Sequence, residues 1–115
     1  MPQYAVLIYT GDSAHRLDAT EEDLEEPNSH GDALADSGAL RTAYAFTPRD
    51  LARSVRESGV TEGPFVDAPV AVAGVYVIEA PDLDAALAIA RTNPAIRGDA
   101  GVEVRLVHSG GVVGQ

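Results

Sequence analysis

The stretch "VAVAGVYVIEAPDLDAALAIARTN" (Val70 to Asn93) decides the fold. Val70 to Ala80 are apolar at nearly every position and rich in β-branched residues. Both alternating sets are apolar, which predicts a strand covered on both faces. Pro81 and Asp82 then open a helix, with Asp84 in its first turn and Arg91 in its last, as the helix dipole favours. Leu83, Ala86, Leu87 and Ala90 recur at helical spacing and predict its buried stripe. "VEVRLV" (Val102 to Val107) follows as a second strand.

The same reading extends towards the start of the chain. "YAVLIYT" (Tyr4 to Thr10) is a strand, with Tyr4, Val6 and Ile8 on one face and Ala5, Leu7 and Tyr9 on the other. Both sets are again apolar. "TEEDLEEPNSHGDALADSG" (Thr20 to Gly38) reads as helix, with Thr20 as N-cap, acids in its first turn and Gly38 as the stop. On that reading Pro27 lies beyond the first turn, so the helix is kinked there or begins near Asn28 and Ser29. "LRTAYAF" (Leu40 to Phe46) is a strand. "TPRDLARSVRESG" (Thr47 to Gly59) has a Thr cap, a Pro at N1 and a terminal Gly, so local signals favour helix. Its alternation also permits a strand turning at Ser58-Gly59 into Val60-Thr61.

The order is strand, helix, strand, insertion, strand, helix, strand. This is the split βαβ, ferredoxin-like arrangement of an α+β protein. Its two helices cover one sheet face. The other face is apolar too, and a surface of that kind predicts a homodimer packed sheet against sheet.

Bulk composition narrows the chemistry. One domain accounts for the 115 residues: 1–108 as the folded unit and 109–115 as a flexible tail. A formal net charge of −10 opposes direct binding to nucleic acid or to an anionic membrane. With no cysteine there is no thiolate nucleophile and no Cys-ligated metal. All eight basic residues are arginine, so Schiff-base and P-loop lysine chemistry are excluded as well. No cofactor is expected. The opening lacks a basic, signal-like segment and no run approaches a membrane span, so the cytoplasm is the expected location.

"VTEGPF" (Val60 to Phe65), "GVYVIEAPDLDAALAIA" (Gly74 to Ala90) and "GVEVRLV" (Gly101 to Val107) resemble the YCII-related family, in particular its DGPF-domain branch. The opening "YAVLIYTGD" and a His midway along the first helix, His30, also fit. The resemblance implies a dimeric α/β-barrel of ferredoxin-like protomers. It also implies a β-hairpin insertion over Arg49 to Thr61, which overrules the local helix reading. It further implies a His–Asp pair as a suggested active site, and a regulatory association with a sigma-factor system. This chain departs from the pattern: Glu62 replaces the motif's first acid, "DAP" (Asp67 to Pro69) replaces a Thr-Lys-Glu, and Asn93 stands where an Asp is usual. Asn cannot hold a proton at neutral pH.

The candidate site residues follow, each with two readings. His30 is a general acid/base or ligand contact, or else a helix-edge histidine bonded to a carbonyl. Glu62, Phe65 and Asp67 form a pocket wall beside His30, or the Gly63-Pro64 segment is a rigid elbow setting the next strand. Tyr9 and Tyr76 supply hydroxyls to a cavity, or are core. Asn93 is the remnant of the acid. Asp12, His15 and Asp18 have a loop spacing that could grip a metal, but the pattern is common by chance and no metal is expected. Arg105 binds an acidic substrate or pairs with Glu103. Two functions remain: a regulatory dimer binding a small molecule near His30, and a cofactor-free, lyase- or hydrolase-like enzyme using His30.

Overall fold

The computed structural model describes residues 1–98 and 100–114. Six strands and two helices form in the order β1 (Gln3–Thr10), α1 (Glu25–Asp36), β2 (Leu40–Ala45), β3 (Arg53–Arg56), β4 (Gly59–Glu62), β5 (Ala71–Glu79), α2 (Leu83–Ala90) and β6 (Gly101–Leu106). Strands β2, β5, β1 and β6 make one sheet in that order, every neighbouring pair antiparallel. This is the ferredoxin-like α+β arrangement, with the β3–β4 hairpin inserted between its halves. No helix among the described residues is long and apolar enough to cross a membrane.

The core lies between one sheet face and the helices. Tyr4 opposes Ile78, Val6 opposes Tyr76 and Ile8 opposes Gly74 across the β1–β5 ladder, all on that face. Val6 and Ile78 are 0 % exposed. Leu34 from α1 and Ala86 and Ala90 from α2 close over them. The alternate residues Ala5, Leu7, Tyr9, Val75 and Val77 point to the opposite face, away from both helices. They stand outside the core cluster.

Three local expectations change. First, α1 begins at Glu25 rather than Thr20. Thr20 and Asp23 do form a reciprocal capping pair (Asp23 N–H to Thr20 Oγ1 at 3.2 Å, Thr20 N–H to Asp23 Oδ2 at 3.0 Å), but it closes a turn ahead of the helix. Position 27 therefore falls in the helix's first turn, where a missing N–H is no loss. Gly38 does end α1, with φ +79°. Second, the buried stripe of α2 is Ala86 and Ala90, with Ala85 and Ile89 beside it, whereas Leu83 and Leu87 are 50 % and 41 % exposed. The helix is apolar nearly all round, so periodicity alone did not choose its face. Asp82 caps it, accepting from the Ala85 N–H at 2.8 Å. Third, the hairpin that the resemblance implied over Arg49 to Thr61 does form, after a single 3-10 turn, Arg49–Leu51, but its turn is not at Ser58-Gly59. Val55 pairs with Val60 and Arg56 with Gly59, which places the two-residue turn at Glu57-Ser58.

Gly74 holds the sheet at its tightest point. It pairs with Ile8 on one side and Ala45 on the other. A Cβ at this position would lie 2.8 Å from the backbone oxygen of Tyr44. Gly74→Ala should therefore push β2 from β5 and cost about 1–3 kcal/mol. The check is a urea unfolding curve, with a lower midpoint at unchanged slope expected.

Candidate functional site

The segment Gly63 to Pro69 is built as an elbow. Gly63 takes φ +96°, a left-handed conformation that favours glycine, and its N–H bonds the Ala52 oxygen at 2.8 Å. Ser54 Oγ donates to the Gly63 oxygen at 2.8 Å. Arg56 donates to the Phe65 oxygen at 2.8 Å and stacks on the Phe65 ring, 4.2 Å from its centroid. Arg49 donates to the oxygens of Ala68 at 2.7 Å and Pro69 at 3.2 Å, and reaches Gly11 at 3.4 Å. Two arginines and a serine thus strap this segment to the hairpin and to the end of β1.

A cleft of about 770 Å³ opens elsewhere, between α1, the β2–β5 side of the sheet, the loop after β1 and the turn after α2. His30, Tyr76 and Asn93 all line it, with Ile8, Leu34, Leu40 and Ala43 among its apolar walls. A more open groove of about 1040 Å³ runs along the other flank of α1, past Ile89 and Arg97, and also touches His30. The size of the smaller cleft, which is itself open to solvent, suits a small organic ligand.

Three elements deliver these side chains. His30 lies one turn before Leu34 on α1, so both face the sheet. Tyr76 alternates with Gly74 and Ile78 on the helix-facing side of β5. Its ring meets His30 edge-on, with centroids 6.3 Å apart. Asn93 caps the 3-10 turn Pro94–Ile96, its Oδ1 accepting from the Ala95 N–H at 2.8 Å. The cap commits the amide oxygen to the backbone.

Two buried polar atoms here have no hydrogen-bond partner among the described residues: His30 Nε2 and the Tyr76 hydroxyl. Tyr76 is 4 % exposed and Asn93 5 %. Burial pushes the Tyr76 phenol above its ordinary value, opposed in part by the Asn93 side chain, which approaches the hydroxyl in a hydrogen-bonding sense without completing a well-formed bond. Burial also lowers the His30 imidazole below its ordinary 6.5, so the neutral ring is favoured.

The expected residues therefore separate. His30 and Asn93 share the cleft, though no hydrogen bond joins them. Glu62, Phe65 and Asp67 do not border it. They lie on the hairpin side, Phe65 being 61 % exposed. Tyr9 falls on the open sheet face. Arg105 pairs with Glu103 at 3.2 Å. Asp12 and His15 line the cleft, but among the described residues no three His, Asp or Glu side chains gather closely enough to hold a metal. Tyr76 is both core and cleft-lining: a polar-tipped side chain, two residues after a glycine, on the helix-facing set of an otherwise aliphatic strand.

A family profile described as the YCII-related domain matches residues 3–109. The chain belongs to the YCII-related family. A search among curated proteins finds no match. Membership covers both helices, the whole sheet, the hairpin and every residue of the cleft.

Tyr76→Phe removes an unpartnered hydroxyl and should leave stability unchanged or raise it, by up to about 1 kcal/mol. A fall of that size in urea unfolding would show the hydroxyl to be bonded. For His30 the sign follows from its lowered folded value: the unfolded chain binds the proton first. The stability tied to neutral His30 is thus complete above about pH 6.5 and declines as pH falls through that range. An NMR titration should place the His30 midpoint below 6.5, and His30→Gln should lessen the acid-side loss of stability.

Proposed function

We propose that the chain is a DGPF-type member of its family that forms a homodimer and binds a small organic molecule in the cleft beside His30. The observation that carries the binding reading is the pair of buried atoms without a partner among the described residues, His30 Nε2 and the Tyr76 hydroxyl, bordering one open cleft. Each such atom costs about 1–3 kcal/mol when left unbonded. A ligand hydroxyl, carbonyl or amide seated between them recovers that cost, while the aliphatic walls hold its body. The dimer reading rests on the second sheet face, where the half-buried Leu7, Val75 and Val77 lie on the two central strands outside the core cluster formed with the helices.

A second reading has one observation in its favour. A neutral His30 at physiological pH is able to accept a proton, as a cofactor-free lyase- or hydrolase-like enzyme would require. Against it, no carboxylate among the described residues hydrogen-bonds His30, and Asn93 cannot take the acid's part. Binding is the better supported of the two.

A thermal-shift screen of small polar organic molecules tests the binding reading. The expected outcome is at least one stabilising compound whose effect disappears in His30→Ala. Equal shifts in the two proteins would place binding elsewhere. Sedimentation should show a dimer that Leu7→Glu converts to a folded monomer; a wild-type monomer at micromolar concentration would end the sheet-to-sheet proposal.

A further inference from the structure

We propose that the cleft selects a cationic ligand: a primary or secondary ammonium on an apolar body, with a hydroxyl or amide at its far end. This rests on the binding reading above and names its substrate class. Four carboxylates line the cleft, Asp12, Asp23, Glu26 and Asp32, and no arginine does among the described residues. Arg16 reaches Asp23 at 3.6 Å and Arg97 reaches Glu26 at 2.8 Å, both as exposed pairs. Asp12 accepts only backbone N–H groups, from Ser13 at 2.8 Å and Arg49 at 3.1 Å. Asp32 has no partner among the described residues. Among the described residues Asp12 and Asp32, both exposed at the cleft rim, thus form no ion pair, with the Arg49 guanidinium near Asp12 lying on the Gly11 oxygen.

The independent observation is Tyr76. Its side chain is more than nine-tenths buried, its hydroxyl is unbonded, and it borders the same cleft. The acids alone would be a solvated rim. With Tyr76 and His30 they define a ligand in three parts. The charged part meets Asp12 and Asp32. The apolar body lies along Ile8 and Leu34. The far polar group bonds Tyr76 and the imidazole, which can donate or accept in its neutral form. A carboxylate or phosphate ligand would meet an excess of like charge, since only two of the four carboxylates are paired with arginine, in a concave site that concentrates the field.

Three probes with one phenolic body separate the possibilities on the full chain: tyramine, 3-(4-hydroxyphenyl)propionamide and 3-(4-hydroxyphenyl)propionate. Titration followed by NMR should give tyramine the highest affinity, about threefold to tenfold above the amide. That gap should shrink with added salt. Asp12→Asn/Asp32→Asn keeps the oxygen that accepts the Ser13 and Arg49 N–H bonds, and should remove most of the gap without changing amide affinity. Asp84→Asn/Glu57→Gln, remote from the cleft, should leave the gap in place. An amide or propionate binding as tightly as tyramine, while still weakened by Tyr76→Phe, overturns the charge selection and leaves the cleft as a binding site. A gap that falls equally in the remote variant reflects the overall charge and overturns the proposal. Binding indifferent to both Tyr76→Phe and His30→Ala, or no binding by any probe up to about 10 mM, overturns the cleft reading as well.

Discussion

The antiparallel pairing of β1 with β5 is the constraint on which the molecule depends. It places Tyr4, Val6 and Ile8 beside Ile78, Tyr76 and Gly74 on a single face. The two helices can bury that face and no other, because both connections return on the same side of the sheet. One residue of slip would turn Tyr76 and Ile78 to the opposite face. The core, the cleft and the open face are all consequences of this one register.

The same pairing accounts for the cleft. Alanines dominate the buried side of α2, so that helix packs close over the sheet. On the α1 side the sheet offers Gly74, which has no side chain, and α1 brings Leu34 and His30 across it. Space remains between α1 and the sheet. Tyr76 extends into that region from the strand without finding a partner for its hydroxyl. Two buried polar atoms would cost about 2–6 kcal/mol if nothing bonded them. Against a total stability of about 5–15 kcal/mol for a domain, that is a large sum.

The elbow at Gly63 to Pro69 illustrates how a conspicuous motif can serve the frame. Its glycine, proline and phenylalanine stand out in the sequence, yet Gly63 and Phe65 are held by groups from the hairpin side. The Arg56 stack and the Arg49 bonds to backbone oxygens fix where β5 begins, and so which of its residues face the helices. The motif supports the cleft from a distance by setting that strand's entry.

What the sequence by itself determined is the kind and order of the elements. Alternating apolar residues at Tyr4 to Thr10 and Val70 to Ala80, and the capped helix after Asp82, are local patterns imposed by backbone geometry. They sufficed for the α+β, ferredoxin-like class. Local signals misled where pairing between strands outweighed them, as at Thr47 to Gly59, where a well-capped helix pattern gave way to a hairpin. They also fell short in α2, whose nearly uniform apolar surface left its buried face undecided. Only the tertiary structure decided that His30, Tyr76 and Asn93 meet. They come from a helix, a strand and a turn separated by up to 63 positions. Their meeting depends on the register of β1 with β5 and on the side from which α1 returns, neither of which any short stretch of chain encodes.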